Sequence, residues 1–96
     1  MYATIRKYEA EQSAIDEIKQ RVEHDFVPLI SPIKGFLGYY WVDSEDGFAS
    51  FSLFEDRAGA EESNRVAETW VKGVLSQFVR NQVEITSGEV LISEAR

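Results

Sequence analysis

The chain concentrates its aromatic residues in one short region, where Phe36 to Phe54 contain seven of the twelve. Two apolar runs, residues 36–42 and 48–54, flank a polar break at residues 43–47 whose Asp, Ser and Gly content is typical of a turn. We therefore predict a β-hairpin, with Gly47 able to adopt a positive φ angle in the turn. Apolar residues fall on both parities of the first run, so neither face of this hairpin suits water.

A hairpin with two apolar faces needs cover on both sides. Helices from a chain of 96 residues can cover only one face of a sheet. The simplest cover for the other face is a second copy of the same chain. The sequence therefore predicts a homodimer packed through the uncovered sheet face, with Phe51 on that face because its parity is opposite to that of Phe54.

The residues before the hairpin predict a strand and a helix. Residues 2–8 have the alternation and the β-branched and aromatic content of a strand. Ser13 is a candidate N-cap, and Pro28 and Pro32 are expected to stop or kink the helix that follows it. That helix presents one apolar stripe, formed by Ile15, Ile18, Val22 and Phe26.

A longer helix and a last strand are predicted after the hairpin. Asp56 is a candidate N-cap for a helix that reaches about Phe78 and carries Trp70 on its apolar face. Residues 82–87 can be extended, and residues 89–93 are predicted as the final strand. The order is βαββαβ, in a single domain over residues 1–96.

This order fits the ferredoxin-like α+β fold, a four-stranded antiparallel sheet with both helices on one face. Two such sheets packed through their open faces form a dimeric α+β barrel with the helices outside.

Composition excludes several classes of site and partner. The chain has no cysteine and one histidine, His24, so we expect no bound metal and no Cys- or His-based catalytic centre. Ten basic residues against seventeen acidic ones give a net charge of −7, which would repel nucleic acids and anionic membranes. No segment resembles a membrane span or a signal peptide, so we expect a cytoplasmic protein.

Four segments resemble the antibiotic-biosynthesis-monooxygenase-like (ABM-like) family of the dimeric α+β barrel superfamily. They are residues 35–40 (GFLGYY), 46–47 (DG), 52–55 (SLFE) and 62–71 (ESNRVAETWV). The resemblance implies a homodimer that binds a small apolar or aromatic ligand between the helices and the sheet. It also implies one candidate activity, the cofactor-independent oxygenation of an aromatic or quinol-type compound.

The chain departs from the family pattern at positions that carry chemistry. Phe54 stands where the third strand usually ends in Trp, and Ile5 stands where the haem-degrading branch has Asn. The second helix also lacks the histidine of that branch. These departures argue against haem degradation, and we expect no bound cofactor.

The predicted ligand-binding residues follow from the resemblance and from strand parity. Ser50, Ser52 and Phe54 share one face of the third strand, and Trp70 lies on the helix that should cover it. One of Tyr39 and Tyr40 should join them, depending on the hairpin register. The full candidate set is Ser50, Ser52, Phe54, Trp70, Tyr39 and Tyr40, and no catalytic residue is assigned.

Three functions remain open from the sequence. The first is a small-molecule oxygenase, and the second is a non-catalytic ligand-binding or stress-response dimer. The third is a purely structural module, which predicts a filled space between helices and sheet. An apolar pocket of about 300 Å³ or more would argue against the structural module.

Overall fold

The predicted ferredoxin-like sheet is present in the computed structural model, which describes residues 1–95. Four antiparallel strands are arranged in the order β2-β3-β1-β4. The strands are β1 (Tyr2–Glu9), β2 (Phe36–Ser44), β3 (Gly47–Phe54) and β4 (Glu84–Glu89). The element order confirms the βαββαβ prediction, with one correction at the last strand.

The last strand was predicted at residues 89–93, and this prediction is wrong. β4 pairs with β1 over Glu84–Glu89, and its final contact is the Val90 amide donating to the Met1 carbonyl at 2.9 Å. Within the described part of the chain, the residues that follow pair with no strand. Leu91 and Ile92, the apolar residues that suggested a strand, are 89% and 88% exposed.

The first helical layer runs through Pro28 instead of stopping there. It consists of α1 (Ile15–Arg21), a π-helical turn (Val22–Phe26) and α2 (Val27–Ile30). Pro28 lies in the first turn of α2, where a missing amide proton costs little, and the π turn just before it changes the hydrogen-bond register. The predicted cap at Ser13 is wrong, because Ser13 lies inside a short 3-10 turn (Gln12–Ala14).

The second helical layer is α3 (Arg57–Trp70), which continues into a π-helical turn (Val71–Leu75). The predicted N-cap is confirmed, because the Asp56 carboxylate accepts a hydrogen bond from the Gly59 amide at 3.2 Å. Within residues 1–95, no helix is long and apolar enough to cross a membrane.

The hairpin turn is shorter than predicted, and its glycine has another role. Gly47 is the first residue of β3, and among residues 1–95 the glycine with positive φ is Gly35, at 86°. A Cβ atom at Gly47 would collide with the Tyr8 carbonyl oxygen. Gly47 is therefore required by close strand packing and not by turn geometry.

Strand register separates the two faces of the sheet. Ile5, Phe51 and Tyr40 are aligned across β1, β3 and β2, so their side chains share the face without helices. The residues of opposite parity in β1 and β3 are buried under the helices. Tyr8 and Phe48, for example, are 5% and 2% exposed. Phe51 thus lies on the open face, as its parity indicated.

Candidate functional site

The helix-facing side of the sheet borders several spaces. One of about 240 Å³ lies between the first helical layer and β2, and its lining includes Val22, Tyr39 and Trp41. Two others are neighbours. The space directly under the helices is nearly filled, with a volume of about 20 Å³. Beside it, a groove of about 740 Å³ runs between α3 with its π turn and the β1–β4 edge of the sheet. Arg6, Tyr8 and Val71 line both spaces and form the wall between them.

Three of the six candidate residues meet at the smaller space. Tyr39, Ser50 and Trp70 all line it, one from each of β2, β3 and α3. The Trp70 ring packs on Phe26, with ring centroids 5.3 Å apart. These contacts place Trp70 in the core wall beside the groove.

Ser52 and Phe54 share the sheet face of Ser50 but lie further along β3. Both are buried under the start of α3, and neither lines the spaces described above. Phe54 packs edge to face on Phe36, with centroids 5.7 Å apart, and a Cβ atom at Gly59 would come within 2.7 Å of the Phe54 ring. The close approach of α3 thus fills this end of the sheet.

The hairpin register answers the question left open for the two tyrosines. Tyr39 is paired with Ser52 and faces the helices, whereas Tyr40 is paired with Phe51 and is 57% exposed on the open face. Burial raises the pKa of Tyr39 to about 12, although the neighbouring Ser50 hydroxyl acts in the opposite direction. Tyr39 is therefore a neutral hydroxyl at physiological pH.

The groove has apolar walls and a polar floor. Its apolar lining comes from α3's π turn, the following segment and β4, namely Val71, Val79, Val83 and Ile85. Arg6, Tyr8 and Asn64 supply polar groups at the floor. The other lining residues are also polar: Arg65, Glu68, Lys72, Ser76, Asn81 and Gln82. Apolar surface beside fixed polar groups is a feature of small-molecule sites.

Arg6 is the most unusual residue of this floor, because its side chain carries a charge and the residue is only 5% exposed. Its Nε donates to the Tyr8 hydroxyl at 2.8 Å, and its Nη1 donates to Asn64 Oδ1 at 3.1 Å. Within residues 1–95, no carboxylate forms an ion pair with it. The guanidinium is thus held by neutral acceptors alone.

A ring of three hydrogen bonds fixes the position of Asn64. Thr4 Oγ1 donates to Asn64 Oδ1 at 3.0 Å, and Asn64 Nδ2 donates to Ser87 Oγ at 3.3 Å. Thr4 and Ser87 hydroxyls lie 2.7 Å apart and complete the ring. The network connects β1, β4 and α3, so the Asn64 side chain that accepts from Arg6 is held in place.

Tyr8 remains protonated beside Arg6. Burial raises the pKa of its hydroxyl, and the nearby Arg6 charge and hydrogen bond only partly oppose this effect. Because the Tyr8 oxygen accepts from Arg6, its own proton is free to be donated to another group. The pair therefore presents donors to the groove.

Sequence reasoning missed Arg6, Tyr8 and Asn64. The available signal was strand parity. Thr4, Arg6 and Tyr8 occupy every second position of β1, and all three are buried. The same parity corrects the family comparison at Ile5, which lies on the open face and does not reach the groove. Its inward-facing neighbours are Thr4 and Arg6.

Within residues 1–95, no group of three or more His, Cys, Asp or Glu side chains is close enough to hold a metal ion. The groove itself offers hydrogen-bond donors, among them the buried guanidinium of Arg6, which are groups suited to an organic oxygen ligand.

Comparison with known proteins gives matches among solved structures only. No protein-family model and no curated protein matches the chain. A candidate antibiotic biosynthesis monooxygenase from Nitrosomonas europaea superposes with a TM-score of 0.75 at 15% identity, covering 96% of this chain and 100% of that one.

Two further structures extend the comparison. The ActVA-Orf6 monooxygenase of Streptomyces coelicolor, in complex with the ligand nanaomycin D, gives a TM-score of 0.72 at 14% identity and covers 96% of this chain and 92% of that one. A dimeric ferredoxin-like protein from an uncultured marine organism gives 0.72 at 7% identity, with coverage of 99% and 97%. At these identities the comparisons establish the fold, and the chain has the ferredoxin-like fold of the ABM-like proteins that its sequence resembles.

Proposed function

We propose that this protein is a homodimer that binds a small, mainly aromatic molecule in the groove beside α3. The observation that carries this proposal is the groove of about 740 Å³, which combines apolar walls with the fixed donors of Arg6 and Tyr8. Its volume lies within the range of about 300–1,000 Å³ typical of ligand sites. The space under the helices, which a structural module predicts to be filled, has a volume of only about 20 Å³, so the proposal depends on the groove beside it.

The dimeric part of the proposal is supported by the open sheet face. Ile5, Tyr40 and Val42 are 36%, 57% and 46% exposed there, and Phe51 and Leu53 lie among them. An apolar face of this kind is expected to be covered, and a stable contact buries about 800 Å² per subunit. One structural neighbour is named as a dimeric ferredoxin-like protein.

Oxygenation is the catalytic function that the site supports best. For 1-naphthol, one O₂ would give 1,4-naphthoquinone and one water, because the substrate supplies all four electrons. One oxygen atom becomes the new carbonyl, and the other leaves with the ring hydrogen and the hydroxyl hydrogen. Arg6 would stabilise the naphtholate, and the Tyr8 hydroxyl would donate to an oxyanion that develops during the reaction.

Non-catalytic ligand binding is the second candidate. It is favoured by the residues that differ from the family pattern, Phe54 at the usual Trp position and the absence of histidine from the second helix. Phe54 is fully buried against Phe36 and cannot donate a hydrogen bond. Binding and catalysis share the same groove and are distinguished by oxygen consumption.

The binding test uses tryptophan fluorescence. We expect 1-naphthol to change the emission of the wild type and of Trp41→Phe, and to lose most of this effect in Trp70→Phe. Trp70 adjoins Arg6, Tyr8 and Val71 at the wall of the groove, whereas Trp41 packs on Phe48 away from it. A signal lost only in Trp41→Phe would place the ligand elsewhere and contradict the proposed site.

The catalytic test measures oxygen uptake and quinone formation with 1-naphthol under the same conditions. An oxygenase should consume one O₂ per quinone formed, above the rate in buffer. Binding without uptake above that rate would favour the non-catalytic dimer for this compound.

A further inference from the structure

The strongest additional signal in the molecule is a buried positive charge that no carboxylate in residues 1–95 balances. Arg6 is 5% exposed, and its hydrogen-bond acceptors, Tyr8 and Asn64, are neutral. Removing a cation from water without an anionic partner costs several kcal/mol in effective terms. A buried charge of this kind that borders a groove marks a candidate functional site, where an anionic ligand would supply the missing partner.

The unused donors of Arg6 are available from the groove. Within residues 1–95, Nε and Nη1 have hydrogen-bond partners, while the two N–H groups of Nη2 have none. The Nη2 atom is not completely sealed from solvent. Arg6 lines the groove, so its free N–H groups are reachable from there together with the Tyr8 proton.

The groove is positively charged although the whole chain carries −7. Its lining contains three cationic side chains, Arg6, Arg65 and Lys72, and one carboxylate, Glu68. Arg65 and Lys72 are exposed and paired with carboxylates of their own helix, so they contribute little. Arg6 is therefore the group that would bind an anion strongly.

We propose that Arg6 and Tyr8 form a recognition site for the carboxylate of a small aromatic acid, a proposal that rests on the ligand-binding function inferred above. A carboxylate has two oxygens in one plane, which suits the planar guanidinium and a neighbouring hydroxyl donor. The apolar walls formed by Val71, Val79 and Val83 would cover the aromatic ring. The ligand class is thus an aryl carboxylic acid.

The test compares two ligands of nearly the same shape, 2-naphthoate and 2-naphthamide, by isothermal titration calorimetry. The wild type should bind the naphthoate at least about tenfold more tightly, because only the naphthoate supplies the missing negative charge. Equal affinity for the two ligands would overturn the carboxylate site and leave the binding function intact. Binding of neither ligand at millimolar concentration would contradict both proposals.

Two substitutions should abolish the preference for naphthoate over naphthamide, one by deleting the positive charge of Arg6 and the other by balancing it. Arg6→Met deletes the cation, and Asn64→Asp places an internal carboxylate against it at an existing hydrogen-bond position. In both variants the affinity for naphthoate should fall to the affinity for naphthamide. A tenfold preference that persists in either folded variant would overturn the proposal.

The matched control is Arg57→Met, which removes the same charge from the exposed side of α3, outside the groove. Its naphthoate preference should stay within about twofold of the wild type. Circular dichroism and thermal unfolding verify that each variant is folded. Since Asn64→Asp keeps the size and shape of Asn64, it tests the site even if Arg6→Met fails to fold.

Discussion

The buried hydroxyl of Tyr39 links single-residue chemistry to the stability of the fold. Its pKa of about 12 exceeds the value of about 10 expected in the unfolded chain. Between these values the folded state retains a proton that the unfolded state has lost. Stability from this group is therefore complete below pH 10 and is lost as pH rises from 10 to 12.

We predict that Tyr39→Phe flattens the alkaline loss of stability. In urea unfolding between pH 9 and 12, the wild type should lose up to about 1.4 kcal/mol per pH unit more than Tyr39→Phe. Parallel curves for wild type and Tyr39→Phe would contradict the burial of this hydroxyl.

A second residue-scale prediction concerns the glycine at the start of β3. Gly47→Ala should destabilise the protein by about 1–3 kcal/mol, because the added methyl group would collide with the Tyr8 carbonyl oxygen. Gly73→Ala is the control, since Gly73 is exposed in the helical layer with no atom within 4 Å of a Cβ there, and it should be neutral or slightly stabilising. Both changes can be measured by urea denaturation, and equal effects would contradict the close packing at Gly47.

The sequence predicts the sheet face on which a side chain lies, but it does not predict which distant residues together line the groove. Parity in β1 puts Arg6 beside Thr4 and Tyr8, yet its acceptor Asn64 is 58 residues away on α3. Ser50 and Ser52 have the same parity, but only Ser50 reaches a space, because α3 closes over Ser52 and the end of β3. Such differences depend on how closely a helix approaches the sheet, which a residue pattern does not encode.

At the scale of elements, the N-cap of α3 orients the helix that covers the groove. Asp56→Ala should cost about 1 kcal/mol in the free energy of unfolding, because the Gly59 amide loses its acceptor. Asp56→Asn keeps an acceptor oxygen and should stay within a few tenths of a kcal/mol of the wild type. Urea denaturation measures both, and an unaffected Asp56→Ala would show that the cap contributes nothing.

Elements were predictable where the chain's local chemistry decides them. The β2–β3 hairpin and the Asp56 cap depend on nearby residues and both are present, although the hairpin turn is shorter than predicted and the local cap prediction at Ser13 is wrong. The last strand depends on long-range pairing, because Glu84–Glu89 pairs with β1, whereas residues 91–92 pair with no strand in the described part of the chain. Apolar content alone therefore favoured the wrong segment.

At the scale of the whole molecule, the proposed homodimer would form through the open sheet face. Phe51→Glu should dissociate or unfold the dimer, because it places a charge between Ile5 and Tyr40 in the contact. The matched control is Leu29→Glu, which changes an apolar residue of α2 that is 50% exposed in the helical layer. It should remain a dimer.

Sedimentation equilibrium at micromolar concentration distinguishes the two variants. A wild-type monomer at that concentration would contradict the dimer itself. A Phe51→Glu protein that remains a stable dimer would contradict the assignment of its interface to the open sheet face.

The most direct test of the account is a crystal structure of the protein saturated with 2-naphthoate, because it locates the ligand within the assembly. The aromatic ring should lie between Val71 and Val83, with its carboxylate within hydrogen-bond distance of Arg6. A ligand bound between the two sheets of a dimer, or elsewhere than the groove, would contradict it.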